Sequence, residues 1–220
     1  MLCEHLFRPL AHPFVLAFAR LRVPPPVVVL LAAAVGIAGA VELARRDLVI
    51  AAVLVQLKTV LDNADGQLAR LTGKVTAFGR YLDSECDLLV NAALFAALGT
   101  PWAILGFVLL TLILSTNFNT ERLARGGVAQ WDASVLGRVY GILYGWQDRL
   151  ADRVLGNRPI QPWQVTALAN LGMSTQLAAF GLCMALGHPL AFVAVLVAEA
   201  VVVTGIFTLQ PKREVSLEHR

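Results

Sequence analysis

The sequence predicts an all-α integral membrane bundle: six transmembrane helices preceded by an N-terminal amphipathic helix at the membrane interface. Three observations carry this expectation. Hydrophobic residues fill 57% of the 220 positions and charged residues only 15%, where a soluble domain carries about 25% charge. The mean hydropathy is +0.67. The apolar residues gather into six segments of roughly 20 residues, the length a helix needs to cross the hydrocarbon layer. The net charge of +3 and the isoelectric point near 9.0 come from dispersed Lys and Arg. No basic cluster interleaved with aromatics is present, which argues against nucleic acid as a partner.

The opening stretch to Arg22 mixes Leu6, Phe7, Leu10, Phe14, Leu16, Phe18 and Leu21 with Arg8, Arg20 and Arg22. It lacks the basic start, clean apolar stretch and cleavage site of a secretory signal. It reads as an interfacial amphipathic helix, bent at Pro9 and Pro13. Pro24-Pro25-Pro26 breaks the chain before the first span. The spans are expected over residues 24–44, 48–71, 78–98, 101–119, 163–186 and 189–209. Gly99-Thr100-Pro101 and Gly187-His188-Pro189 supply the turn chemistry between consecutive spans. The chain thus divides into an interfacial helix (1–22), a six-helix transmembrane domain (23–210) and a tail (211–220).

Charge orients the bundle. With both termini on the cytoplasmic side, fifteen Lys and Arg lie in the inner segments and only Arg45 and Arg46 outside, with Lys58 inside a span. The positive-inside rule favours that arrangement. The long inner stretch, residues 122–160, is expected to include an amphipathic helix near Val135–Leu155. Cys3, Cys86 and Cys183 are far apart and form neither a CxxC pair nor a zinc spacing.

The second and third spans are unlike lipid-facing helices. Between Lys58 and Asp87 they carry four aspartates, Glu85, Arg70, Lys74 and Arg80. Ionisable groups at membrane depth are costly and face a bundle interior or a wet cavity. At about 100° per residue, Lys58, Asp62, Asp65 and Ala69 share a stripe about 60° wide. Gly79, Asp83 and Asp87, one turn apart, share a face of the next helix, and Glu85 points away as a surface charge. Two antiparallel helices can therefore offer two pairs of carboxylates to each other. Packed together in a low dielectric, four carboxylates call for positive charge. Oxygen ligands without His or Cys fit Mg²⁺, Mn²⁺ or Ca²⁺ and not a typical zinc site. Two other readings of the same residues are structural ion pairs with Lys58 or Arg70, and a cation path. Gly66, Ala69 and Gly79 leave room for a ligand beside the carboxylates.

The same residues spell Asp62-x2-Asp65-Gly66-x2-Ala69-Arg70-x8-Gly79-x3-Asp83-x3-Asp87. This resembles the signature of the CDP-alcohol phosphotransferase (CDP-alcohol phosphatidyltransferase) family at all eight fixed positions. The layout of an amphipathic helix and six spans is similar too. The resemblance implies a membrane enzyme of phospholipid biosynthesis. It would move a substituted phosphate from a CDP-linked donor such as CDP-diacylglycerol to an alcohol, with release of CMP. It implies Mg²⁺ or Mn²⁺ as cofactor, two ions in all, held by Asp62, Asp65, Asp83 and Asp87. Asp87 corresponds to the general base. Gly66, Ala69 and Gly79 correspond to small positions around the cytidine, and Arg70 to a residue near the diphosphate. A homodimer in contact with membrane lipids is also implied. Two departures stand out. Many members open the first span with a Pro-Asn…Thr stretch, where this chain has Pro24-Pro25-Pro26-Val27-Val28-Val29. Many also have a basic residue after the last aspartate, where this chain has Leu88.

For the acceptor, Asn119, Arg122, Arg125 and Arg138, near the inner end of the fourth span and beyond, are candidates to hold a phosphorylated polyol through charge-assisted hydrogen bonds. They serve equally as caps and membrane-end anchors. Alternative functions are a synthase joining polar head groups into a soluble phosphodiester, and a non-catalytic cation-binding bundle. Glu199, an acid in the last span, is expected to pair with an interior base or to lie at a dimer seam.

Overall fold

The computed structural model describes residues 6–124 and 160–208, with positions 138, 141, 145, 146 and 149 between them. All regular structure among these residues is helical. Helix α1 spans Arg8–Arg20, α2 Pro25–Ala44, α3 Leu48–Leu71, α4 Ala77–Ala97 and α5 Trp102–Ala124. Beyond the central stretch come α6 (Pro162–Ala169), α7 (Met173–Ala185) and α8 (Ala191–Thr208). The helix expected near Val135–Leu155 falls largely, and the tail 211–220 entirely, outside the described residues.

The helix ends follow local chemistry. Pro25 opens α2, where a missing N–H leaves nothing unsatisfied. Helix α3 closes in a Schellman turn. Gly73 takes φ +66, the Lys74 N–H donates to the Ala69 carbonyl at 2.9 Å, and the Gly73 N–H donates to that of Arg70 at 3.3 Å. Thr76 then caps α4 by accepting from the Gly79 N–H at 3.0 Å. The same closure ends α2 with Arg46 in the left-handed region, at φ +68, and the Asp47 N–H donating to Glu42 at 2.9 Å. Asp47 also caps α3 through Ile50, at 3.2 Å.

Among the described residues three stretches are long and apolar enough to cross a membrane: Pro25–Ala44, Trp102–Arg122 and Pro162–Ala185. Helices α3 and α4 match them in length, with 24 and 21 residues, and carry the charged motif. Helix α8 is apolar and slightly shorter. The expected span over residues 163–186 coincides with the apolar stretch Pro162–Ala185, and within it the chain breaks at Asn170–Gly172 between α6 and α7. Asn170 turns its amide back onto the Thr166 carbonyl at 3.0 Å, and Gly172 adopts extended backbone as the N-cap of α7. Both residues are weak helix formers, and both favour helix ends.

Helix α2 packs along both α3 and α4, and α7 packs along α3. Helices α5 and α8 pair on the far side, with α5 also meeting α4 and α6. Phe95 of α4, Phe180 of α7 and Phe192 of α8 form the centre of the core. The rings of Phe180 and Phe192 stack at 4.7 Å, and those of Phe95 and Phe180 at 5.7 Å. Helix α1 docks on the bundle. It runs through Pro13 as one helix and buries Ala11 and Val15 against Val28, Ala64 and Leu68. Its Leu10, Phe14, Leu16 and Leu21 remain exposed, the apolar side that lipid contact requires.

Candidate active site

Helix α2 brings the motif helices together. At Gly36 side chains of α3 and α4 crowd α2 so closely that a Cβ would lie 2.6 Å from Val90 Cγ1 and 3.1 Å from Lys58 Cγ. Lys58 is therefore sealed from behind and only 2% exposed. Its ammonium pairs with Asp62 one turn on and with Asp87 across on α4. A buried ammonium is tolerated only with such partners.

Around this ammonium Asp62, Asp83 and Asp87 converge, each offering one carboxylate oxygen within 4.8 Å of the others. Asp62 and Asp87 are half-buried, so the cluster opens to one side. Asp65 stands one turn further along α3, outside this tight group. It is 7% exposed, and its Oδ2 is buried without a hydrogen-bond partner. As an anion, a buried oxygen without a partner beside three converging carboxylates is strongly unfavourable unless a cation completes it. The donor set is all oxygen, with no His among it. Hard divalent ions fit these residues, which lack the His or Cys of a typical zinc site.

The small positions lie towards the end of α3 and the start of α4, on either side of the 72–76 turn. The Arg70 guanidinium folds over Gly66, with Nη1 3.5 Å from where a Cβ would stand. Ala69 is half-buried and Arg70 exposed. Gly79 sits in the first turn of α4, and a Cβ there would come to 3.2 Å from Thr76 Oγ1. Gly66, Ala69, Arg70 and Gly79 thus share one end of the helix pair with the carboxylates. Glu85, expected as a surface charge, is half-buried.

The acceptor candidates are less gathered. Asn119 is fully buried in α5 and donates to the Ser115 carbonyl at 3.0 Å. Arg122 is half-buried and Arg138 exposed, and Arg125 lies outside the described residues. Glu199 accepts from Gln176 at 2.7 Å, so its partner is a neutral amide and not the expected base.

Two polar links near the site were not read from the sequence. Asn63, beside Asp62, donates to Ser174 Oγ at 3.1 Å, and Gln56 donates to the Leu177 carbonyl at 2.9 Å. They pin the motif helix to α7. Their partners lie 111 and 121 residues away, and only the position of Asn63 on the motif helix hinted at a role.

An all-α membrane bundle with a carboxylate cluster at one end of a helix pair defines a class of membrane metal site. The match to known proteins makes the class specific. The model of the CDP-alcohol phosphatidyltransferase family matches residues 10–204, and the chain belongs to that family, which is divalent-metal dependent. It is 36% identical over 108 residues to a phosphatidylinositol phosphate synthase of Mycolicibacterium smegmatis, covering 49% of this chain and 48% of that protein. It is 40% identical over 53 residues to an archaetidylinositol phosphate synthase of Pyrococcus horikoshii, covering 24% and 28%. The match spans about half the length of the first of these relatives. A crystal structure of phosphatidylinositol phosphate synthase from Mycobacterium tuberculosis with CDP-DAG bound aligns over 92% of this chain and 98% of its own. The TM-score is 0.46 and the sequence identity 19%.

Proposed function

We propose that this chain transfers a substituted phosphate from a CDP-linked lipid donor such as CDP-diacylglycerol to a hydroxyl of a phosphorylated polyol, releasing CMP. The observation that carries the proposal is the convergence of Asp62, Asp83 and Asp87 within 4.8 Å, with the orphaned Asp65 Oδ2 beside them. Asp62, Asp65, Asp83 and Asp87 would hold two ions, Mg²⁺ or Mn²⁺. When bound, such ions neutralise the diphosphate and stabilise charge on the attacking and leaving oxygens. Lys58 holds Asp87 through Oδ1, which leaves Oδ2 to accept the proton of the acceptor hydroxyl. The hydroxyl oxygen forms a bond to the lipid-bearing phosphorus. The bond from that phosphorus to the bridging oxygen breaks, and CMP leaves with the electron pair.

Gly66, Ala69 and Gly79 admit the cytidine, and Arg70 faces the diphosphate. Asn119, Arg122, Arg125 and Arg138 are assigned to the acceptor. Inositol phosphate is the favoured acceptor, since the names of the relatives from two distant organisms share that head group. The arrangement proposed in the membrane has six spans, with 1–22 at the interface, 23–210 as the catalytic domain and 211–220 as a tail. Both termini are cytoplasmic, and two copies form a homodimer. The excess of inner Lys and Arg supports the orientation.

The test is CMP release by purified protein given CDP-diacylglycerol and a panel of alcohols that includes inositol phosphate, with Mg²⁺ or Mn²⁺ and with chelator. Release that needs one acceptor and the metal, and that falls at least a thousandfold in Asp87→Asn, is the expected outcome. Folded protein that releases no CMP with any acceptor refutes the proposal.

A further inference from the structure

The pairing within the carboxylate cluster is uneven. Lys58 holds Asp62 and Asp87. Asp65 keeps an oxygen buried without a partner, and among the described residues Asp83 has no ion-pair partner. With all four carboxylates ionised, as metal ligation requires, one ammonium leaves three negative charges. One divalent ion reduces these to a single charge, and a second reverses the sign of the site. The ammonium is not free to withdraw: its stem is walled in by α2, where even a Cβ added at Gly36 would lie only 3.1 Å from Lys58 Cγ, and the side chain is 2% exposed.

We infer that Lys58 is a positioning residue that serves as the resident cation of the cluster. It bridges α3 and α4 through Asp62 and Asp87, and it opposes a second divalent ion until an anionic substrate arrives. The inference rests on the metal-site reading above. Its physical basis is like-charge repulsion between a fixed ammonium and a dication sharing the same two carboxylates. The side of the cluster towards Asp65 carries the orphaned oxygen and takes the first ion. The diphosphate of the substrate then supplies the negative charge that lets the second ion bind beside Lys58.

The test uses full-length protein in detergent without nucleotide, with Mn²⁺ binding followed by the paramagnetic resonance signal of the free ion. The wild type binds one Mn²⁺ per chain, and a second at least tenfold more weakly. Lys58→Met binds the second ion at least tenfold more tightly than the wild type does. In chelator its thermal midpoint falls, and Mn²⁺ restores it. A structural ion pair alone would give a loss of stability that metal does not repair. Unchanged or weaker binding of the second ion in Lys58→Met, or no rescue by Mn²⁺, overturns the inference while leaving the metal site standing. If the wild type binds no Mn²⁺, the metal-site reading falls and this inference with it. Where Lys58→Met does not fold in chelator, the Lys58→Met/Asp62→Asn double variant decides. It removes one charge of each sign and is expected to fold there, and its failure to do so also counts against the inference.

Discussion

Gly36→Ala adds a single methyl group at the point where α2 touches both motif helices, and its effect follows from three distances. The new Cβ would stand 2.6 and 3.0 Å from the two Val90 methyls and 3.1 Å from Lys58 Cγ. Carbon atoms rest at about 3.5–4.0 Å, so Val90 must retreat by about 1 Å. Val90 is β-branched and stiff at χ1, so α4 moves with it. Overpacking of this severity costs about 3 kcal/mol, offset by about 1 kcal/mol for replacing glycine inside a helix. The net loss of about 2 kcal/mol corresponds to a thermal midpoint lower by roughly 4–8 °C in a chain of this size. Val90 lies three residues beyond Asp87, on the same side of α4, so the displacement reaches the site. A misplacement of about 1 Å lowers the rate of CMP release by about a hundredfold. Val90→Ala in the same background removes the clashing methyls and should restore most of both losses. A Gly36→Ala protein with unaltered midpoint and rate, or a double variant whose losses simply add, would show that the three helices are not in register through this contact.

Other expectations concern the site and its frame. Asp65→Asn removes the buried charge whose Oδ2 lacks a partner. In chelator it should be more stable by about 1–3 kcal/mol, with Mn²⁺ affinity at least tenfold lower; a fall in the midpoint measured in chelator would argue against an uncompensated anion. Gly73→Ala forces an alanine to φ +66 with nothing within 4 Å of the added methyl. It should lose about 1–2 kcal/mol in thermal unfolding from backbone strain alone. Arg46→Gly reverses that comparison at φ +68 and should gain up to about 1 kcal/mol, so a loss there would mean that the arginine side chain has a binding role.

Much of this molecule could be read from residue order because its information is local. The eight motif positions lie on two adjacent helices, so helical periodicity alone aligned Asp62 with Asp65 and Asp83 with Asp87. Pro25, Gly99 and Gly187 marked helix ends through backbone restrictions that need no tertiary partner. The missing parts are those fixed by distant contacts. Lys58 was visible on the aspartate stripe, but its grip on Asp87 depends on how α2 wedges α3 and α4 together. The pairing of Asn63 with Ser174 depends on the break at Asn170–Gly172, which an apolar sequence of spanning length conceals. Helix α1 showed an apolar face, yet nothing in its sequence distinguished the strip that docks on Ala64 and Leu68 from the strip left outside.

The length of α3 has its own consequence. It begins at Leu48, just after the Asp47 cap, and runs for 24 residues, or about 36 Å against a hydrocarbon layer of about 30 Å. Asp62 lies about 21 Å and Asp65 about 25 Å along the axis. The carboxylates therefore stand past the midpoint of the helix, about 15 and 11 Å short of its far end. On the function proposed here, the site is a recess and not a surface patch: a two-tailed donor would lower its diphosphate into it from that end while its chains stay in oil beside the bundle.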